Sequence, residues 1–345
     1  MRIFRGTQHP GLAKACALTM GNFDGVHRGH QAMLALLKNE ARQRGLPSCV
    51  MTFEPHPRDF FAQQQQKPEI APARIATLRD KLLELSACGV DQCVVMPFNQ
   101  GFAAQTPHDF VDRVLVQGLG VKYLLVGDDF RFGAKRAGDY GMLTQAGGHF
   151  GFDVARMNSY EISNPQARPA AAQPESQGAG GLRVSSSAVR DALARGAMQE
   201  AAQLLGRPYA ISGHVVHGRK LGRELKCRTL NLRFCHPKPA ASGIFVVQVH
   251  GLLEHALPGV ANLGIRPSLD PKDVNGGRVL LETHCLDWPE QLGLDGGYGK
   301  LVRVELRHRL HDEFTYNGLE ALQQGIAQDC IDARQWLENN DRKNP

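Results

Sequence analysis

The sequence predicts an α/β domain followed by a β domain: an N-terminal parallel sheet with helices on both faces, then a small antiparallel β-barrel with a terminal helix. Three observations predict it. Short apolar runs alternate with amphipathic helical patterns through the first half. From residue 209 onward, alternating segments separated by Gly-, Pro- and Asn-containing turns replace them. A long helical pattern, about Leu319 to Leu337, then precedes a polar tail.

The first-half strands are read at 16–20, 48–53, 92–96, 122–126 and 152–157, with helices at about 29–44, 74–88, 107–118 and 139–149. In parallel sheets, ligands bind at the carboxyl ends of strands. The Gly21–His30, Glu54–Pro57 and Gly127–Gly133 turns all fall at such ends. Residues 163–181 are low in complexity and contain no large apolar side chain, so they read as a flexible insert. Val184-Ser185-Ser186-Ser187 opens another helix with a serine as N-cap, and a short helix follows at about 197–205. Beyond it, Ile211–Val216, Ile244–Val249, Val279–His284 and Leu301–Leu306 read as antiparallel strands. The expected divisions are 1–189, a connecting helical segment 190–208, and 209–345.

Composition bounds the function classes. A chain of 345 residues suits two domains. With 42% hydrophobic and 21% charged residues it has the make-up of a soluble globular protein. No apolar run approaches the roughly 20 residues that span a bilayer. Met1–Gly6 lacks the apolar core of a signal peptide, so a cytoplasmic protein with no membrane partner is expected. Eight scattered cysteines without Cys-x-x-Cys imply neither a zinc site nor a disulfide framework. The net charge of +6 fits anionic small molecules such as nucleotides, and it forms no stripe suited to nucleic acid.

The most informative segment is Met20-Gly21-Asn22-Phe23-Asp24-Gly25-Val26-His27-Arg28-Gly29-His30. It reads as a buried strand, a glycine-rich turn, then a helix entered just after a His-x-x-His pair. Gly21, Gly25 and Gly29 let backbone approach an anion, and the helix start points N–H groups at it. His27 and His30, three apart, can face one ligand and stabilise charge on a phosphoryl group during transfer. Neither the Walker pattern nor Gly-x-Gly-x-x-Gly is present.

Further motifs run in order along nearly the whole chain. They are Thr52-Phe53-Glu54-Pro55-His56-Pro57, Gly127-Asp128-Asp129-Phe130-Arg131-Phe132-Gly133, Ser185-Ser186-Ser187-Ala188-Val189-Arg190, Gly218-x-x-x-Gly222-Arg223, Thr229-Leu230-Asn231, Gly259-Val260-Ala261-Asn262-Leu263-Gly264-x-Arg266-Pro267 and Leu281-Glu282-Thr283-His284. Together with the opening motif they resemble the bifunctional riboflavin kinase/FMN adenylyltransferase family, the prokaryotic FAD synthetases. The first motif alone is shared by a wide nucleotidyltransferase superfamily and fixes only the reaction class.

The resemblance implies that the N-terminal domain joins FMN to the AMP part of ATP and releases pyrophosphate. It places His27, His30 and Arg190 at the reacting phosphates, with Gly21, Asn22, Phe23, Gly25, Gly29, Ser186 and Ser187 around the nucleotide. For Ser185–Ser187, a plain helix cap is an equal reading. Phe53, Pro55, Pro57, Asp129, Phe130 and Arg131 are implied for the flavin. The barrel resembles riboflavin kinase. There Glu282 is the implied base, although an outward-facing strand carboxylate is the ordinary reading of its position. Thr229 and Asn231 are implied for Mg²⁺ and, with Gly218, Gly222 and Arg223, for the nucleotide. The implied ligands are ATP, riboflavin, FMN and FAD, with Mg²⁺ accompanying ATP and the flavins as substrate and product.

Two departures fall on the kinase side. The family's Gly-Phe-Pro is Lys226-Cys227-Arg228 here, which adds two cations that either grip phosphates or repel Mg²⁺. The usual Leu-Arg-Asp-Glu-x-Lys-Phe is Leu310-His311-Asp312-Glu313-Phe314-Thr315-Tyr316. These departures raise two alternatives: a weakened or lost kinase, or a barrel that only binds flavin.

Overall fold

Apolar runs buried on both faces fold as central parallel strands, and the computed structural model shows four of them, flanked by two more exposed edge strands. It describes residues 1–163, 181–217, 228–265, 279–293 and 296–341. The chain divides into two units, Met1–Pro72 with Lys81–Ser185, and Ala73–Asp80 with Ser186–Pro345.

The elements up to Ser185 are β1 (Arg2–Arg5), β2 (Cys16–Met20), α1 (Arg28–Gln43), β3 (Ser48–Glu54), α2 (Pro57–Gln65), α3 (Leu78–Ala87), β4 (Gln92–Pro97), α4 (Gln100–Ala103), α5 (Pro107–Asp109), a π-helical run Phe110–Gly118, β5 (Val121–Gly127), α6 (Tyr140–Phe150), β6 (Asp153–Met157), β7 (Glu161–Ser163) and β8 (Gly181–Arg183). The sheet order is β1-β4-β3-β2-β5-β6, parallel throughout. From β2 the chain winds first to β3 and β4, then crosses to β5 and β6. The reversal opens a crevice at the carboxyl ends of β2 and β5, where the Gly21–His30 turn leaves the sheet.

Alternation along β2 decides the layers. Ala17 joins Leu37, Ala41, Tyr123 and Leu125 beneath α1. Cys16, Leu18 and Met20 face the opposite way, against Phe110, Val114, Leu115 and Leu143. Each such fully buried Leu contributes about 1.5–3 kcal/mol. The helix expected at 74–88 begins only at Leu78, because Arg74 pairs as an extended bridge with Pro239. Strands β7 and β8 pair as a ribbon. They flank residues 164–180 of the expected insert, which lie outside the described residues.

The remaining elements are α7 (Ser186–Ala194), α8 (Met198–Leu205), β9 (Tyr209–His214), β10 (Leu230–Phe234), β11 (Gly243–His250), β12 (Leu257–Ile265), β13 (Val279–Cys285), β14 (Leu301–His311) and α9 (Leu319–Asp341). The antiparallel order is β10-β13-β12-β11-β14-β9. A bridge between Val216 and Asn231 nearly closes the barrel. Leu232, Phe245, Val247, Leu263, Leu281 and Val304 are fully buried. On another face Val246 and Val260 pack against Ala333, with Cys330, Trp336 and Leu337 of α9 around them.

Candidate active sites

The first site is built on the turn after β2. Glycine provides only part of its shape. Gly25 alone among the three motif glycines has a positive φ (+87°), while the non-glycine residues Phe23 and Val26 sit at +48° and +41°. Gly21 and Gly29 leave room for side chains instead. A Cβ on Gly21 would lie 3.3 Å from the Phe23 ring, and one on Gly29 would lie 3.2 Å from His27 Nδ1.

The helix begins at Arg28, between the two histidines rather than after them. His27 is its N-cap, and its Nδ1 accepts the His30 backbone N–H at 3.3 Å. The imidazoles stack with centroids 3.6 Å apart and planes 17° from parallel. Burial, then His27, then Lys81 push the His30 imidazole well below its ordinary value of 6.5. His30 is therefore neutral at pH 7. Its Nδ1 is enclosed with no hydrogen-bond partner among the described residues.

Lys81, which the sequence reading missed, is 1% exposed. Its Nζ donates to Thr52 Oγ1 at 3.3 Å, and that hydroxyl donates to the Asn22 carbonyl at 3.2 Å. A buried cation is thereby tied to the motif turn. A lysine in an amphipathic helix reads from sequence as a solvated face, so no local signal marks it.

Beside this turn lies an aromatic wall. Phe53 packs on Phe98 and Phe102, each 5.8 Å between centroids. The contacts continue from Phe102 through Phe110 and Phe132 to Phe130, which stacks on Phe132 at 5.9 Å. Phe98 also meets Phe60 and Phe61 of α2. Pro57 is the first residue of α2, capped by His56, and Pro55 is exposed. Arg131 pairs with Asp139 at 3.3 Å, and Asp129 is exposed. Ser186 and Ser187 are the first two residues of α7; farther along it, Arg190 Nε donates to the Ala73 carbonyl at 2.7 Å.

The second site lies on the barrel. Glu282 on β13 stands opposite Asn231 on β10, so both side chains project to one face. Thr229, two residues before Asn231, shares that alternation. Asn231 is buried and turns Nδ2 toward the Thr229 carbonyl at 3.4 Å. His284, on the same side as Glu282, holds the Arg228 carbonyl through Nδ1 at 2.8 Å.

Gly218, Gly222, Arg223, Lys226 and Cys227 lie outside the described residues. Arg228 donates to the Gly293 carbonyl at 3.0 Å and lies 5.7 Å above the Trp288 ring. His311 stacks on Phe314, and its Nε2 meets Asp329 of α9 at 2.8 Å.

Burial pushes the Cys93 and Cys285 thiols up to about 12, so neither is a ready nucleophile. Among the described residues, no three His, Cys, Asp or Glu side chains gather as a metal cage, and no helix is long and apolar enough to cross a membrane.

Known proteins match both halves. The FAD synthetase family matches residues 10–167, and the riboflavin kinase family matches residues 205–337. The bifunctional riboflavin kinase/FMN adenylyltransferase of Escherichia coli (strain K12) is 42% identical over 339 residues, 98% of each chain. Its counterpart from Pseudomonas fluorescens is 40% identical over 321 residues, 93% of each chain. That from Haemophilus influenzae is 37% identical over 340 residues, covering 98% of this chain and all of that one. A solved Streptococcus pneumoniae structure described as a macrolide-efflux protein has a TM-score of 0.67 at 23% identity, over 97% of this chain and 98% of that one. At that identity the likeness speaks for the fold alone.

Proposed function

This chain belongs to the bifunctional riboflavin kinase/FMN adenylyltransferase family, and on that premise we propose how its residues divide two consecutive reactions. The barrel phosphorylates riboflavin to FMN, and the parallel-sheet domain adenylylates FMN to FAD.

In the second reaction an FMN phosphate oxygen attacks the α-phosphorus of ATP, and the bond to pyrophosphate breaks. No group on the protein has to form a covalent intermediate; donor and acceptor must be held in line. A neutral His30 donates a hydrogen bond to a phosphoryl oxygen rather than a charge. Positive potential comes from the α1 N-terminus and from the buried Lys81 ammonium. His27 fixes the start of that helix, so the cap and the phosphate contact share one side chain. Phe53 and Phe130, half-buried at the two ends of the aromatic run, offer apolar contact to an isoalloxazine ring. Ser186, Ser187 and Arg190 are assigned to phosphate on the family resemblance.

In the first reaction Glu282 takes the proton of the riboflavin 5′-hydroxyl as that oxygen bonds the γ-phosphorus of ATP. The register pairing of Glu282 with Asn231 carries this assignment, since it turns an ordinary strand carboxylate toward the Thr229–Asn231 oxygens. Thr229 and Asn231 offer hard oxygen donors, which fits Mg²⁺, and phosphate oxygens would complete its shell. When bound, Mg²⁺ would neutralise charge on the phosphoryl group in transit. A barrel that merely stored flavin would have no use for a base, and this favours the kinase over a binding module.

Incubation with riboflavin, ATP and Mg²⁺, resolved by chromatography, tests the reading. FMN and then FAD are expected. FAD formed only from supplied FMN would remove the kinase assignment, and no FAD from FMN and ATP would remove the transferase assignment.

A further inference from the structure

Glu282 has neighbours on both sides. In register, Asn231 of β10, Glu282 of β13 and Asn262 of β12 form one row across three strands. Directly opposed residues of an antiparallel ladder project to the same face, with Cβ atoms about 5 Å apart. The adjacent row, Leu232, Leu281 and Leu263, is fully buried and fills the barrel interior. The polar row therefore lies on the outer side.

The two asparagines differ. Asn231 has its amide turned to Thr229, on the flank assigned to the nucleotide. Asn262 lies on the opposite flank, and its Oδ1 is buried with no hydrogen-bond partner among the described residues. A buried acceptor left without a donor calls for a ligand that brings one. In an in-line transfer the accepting alcohol approaches from the side opposite the leaving group. With the nucleotide assigned to the Asn231 flank, the row order puts Asn262 on that side.

We propose that Asn262 is a specificity-determining residue of the kinase: its carboxamide oxygen accepts a hydrogen bond from the ribityl hydroxyl adjacent to the one phosphorylated. Vicinal oxygens of a polyol can then span two neighbouring side chains, the terminal hydroxyl at Glu282 and the 4′-hydroxyl at Asn262. The contact selects a polyol over a simple alcohol and fixes which hydroxyl meets the base. The inference rests on assigning the Glu282 face to the kinase.

The test compares riboflavin with 4′-deoxyriboflavin as substrates of the full chain, wild type and Asn262→Ala. On riboflavin, kcat/KM is expected to fall about tenfold, the worth of one neutral hydrogen bond. On the deoxy substrate the two proteins should be equal, with the KM for ATP unmoved. An equal fall on both substrates, or no fall on riboflavin, overturns the proposal. Glu282→Gln in parallel separates the failures. If that variant still phosphorylates riboflavin, the face assignment is wrong and the inference falls with it. If it is inactive while Asn262→Ala treats both substrates alike, only the inference falls.

Discussion

Acid should loosen the transferase domain through a single imidazole. Burial, His27 and Lys81 hold the native His30 ring well below 6.5, whereas in the unfolded chain the ring titrates near that ordinary value. Between the two values the unfolded state carries one proton more. The contribution is fully present above about pH 6.5 and is lost as pH falls toward the native pKa. For one proton the slope approaches about 1.4 kcal/mol per pH unit, and the loss accumulated by pH 5.5 has an upper bound of about 1.4 kcal/mol. His30→Gln is the comparison, because it keeps the backbone N–H that caps onto His27. Both tryptophans, Trp288 and Trp336, fall in the second unit, so their fluorescence would miss the effect. Native-state hydrogen exchange at buried amides of β2 and β5, corrected for intrinsic rates, reads it directly. From about pH 7.5 to about pH 5.5, wild type should lose on the order of 1 kcal/mol of opening free energy beyond the loss in the variant, and no more than about 1.4 kcal/mol. Parallel profiles would refute the reasoning, as would a His30 ring that titrates by NMR at its ordinary value.

Lys81→Met removes one of the charges that depress His30. The His30 pKa should rise toward 6.5, and adenylyl transfer should slow roughly ten- to a hundredfold while riboflavin phosphorylation holds, as NMR titration and separate assays of the two steps would show. His311→Ala strands the buried Asp329 carboxylate. It should cost the barrel unit about 1–3 kcal/mol, measured by urea unfolding followed through Trp336 on the same helix. Gly120 has φ +56°, and an added Cβ would run into the Lys14 carbonyl. Gly120→Ala should therefore destabilise the parallel sheet by about 2 kcal/mol or more, visible as faster exchange in β2 and β5.

Burial on both faces made the central strands legible: β2, β3, β4 and β5 are apolar along most of their length, and apolar runs are what a sequence displays. Strand β1 was not, because it is a four-residue edge strand with only Phe4 buried. Helix α2 buries Ala62 alone and ends in glutamines, so it carries no amphipathic signal. In β12, Pro258, Gly259 and Gly264 interrupt the alternation that marks a strand.

The site divides in the same way. The His27–His30 pair and Glu282 stood out through motifs, which specify residue types at fixed spacing. Lys81 is set by packing between segments distant in sequence, and no local pattern encodes it; Asn262 falls inside the Gly259–Pro267 motif, but its place beside Glu282 comes only from the strand register. The left-handed backbone at Phe23 and Val26 was also hidden, since such residues rarely adopt it. A sequence reading naturally gives that role to the neighbouring glycines.

The central claim is that one chain runs two reactions at two separately built sites. Its most direct test follows FMN and FAD formation in two variants, Glu282→Gln and the double variant His27→Ala with His30→Ala. The first should form no FMN from riboflavin yet convert supplied FMN to FAD at the wild-type rate. The second should accumulate FMN from riboflavin and form no FAD. Loss of both steps in either variant, or of neither, would contradict the account.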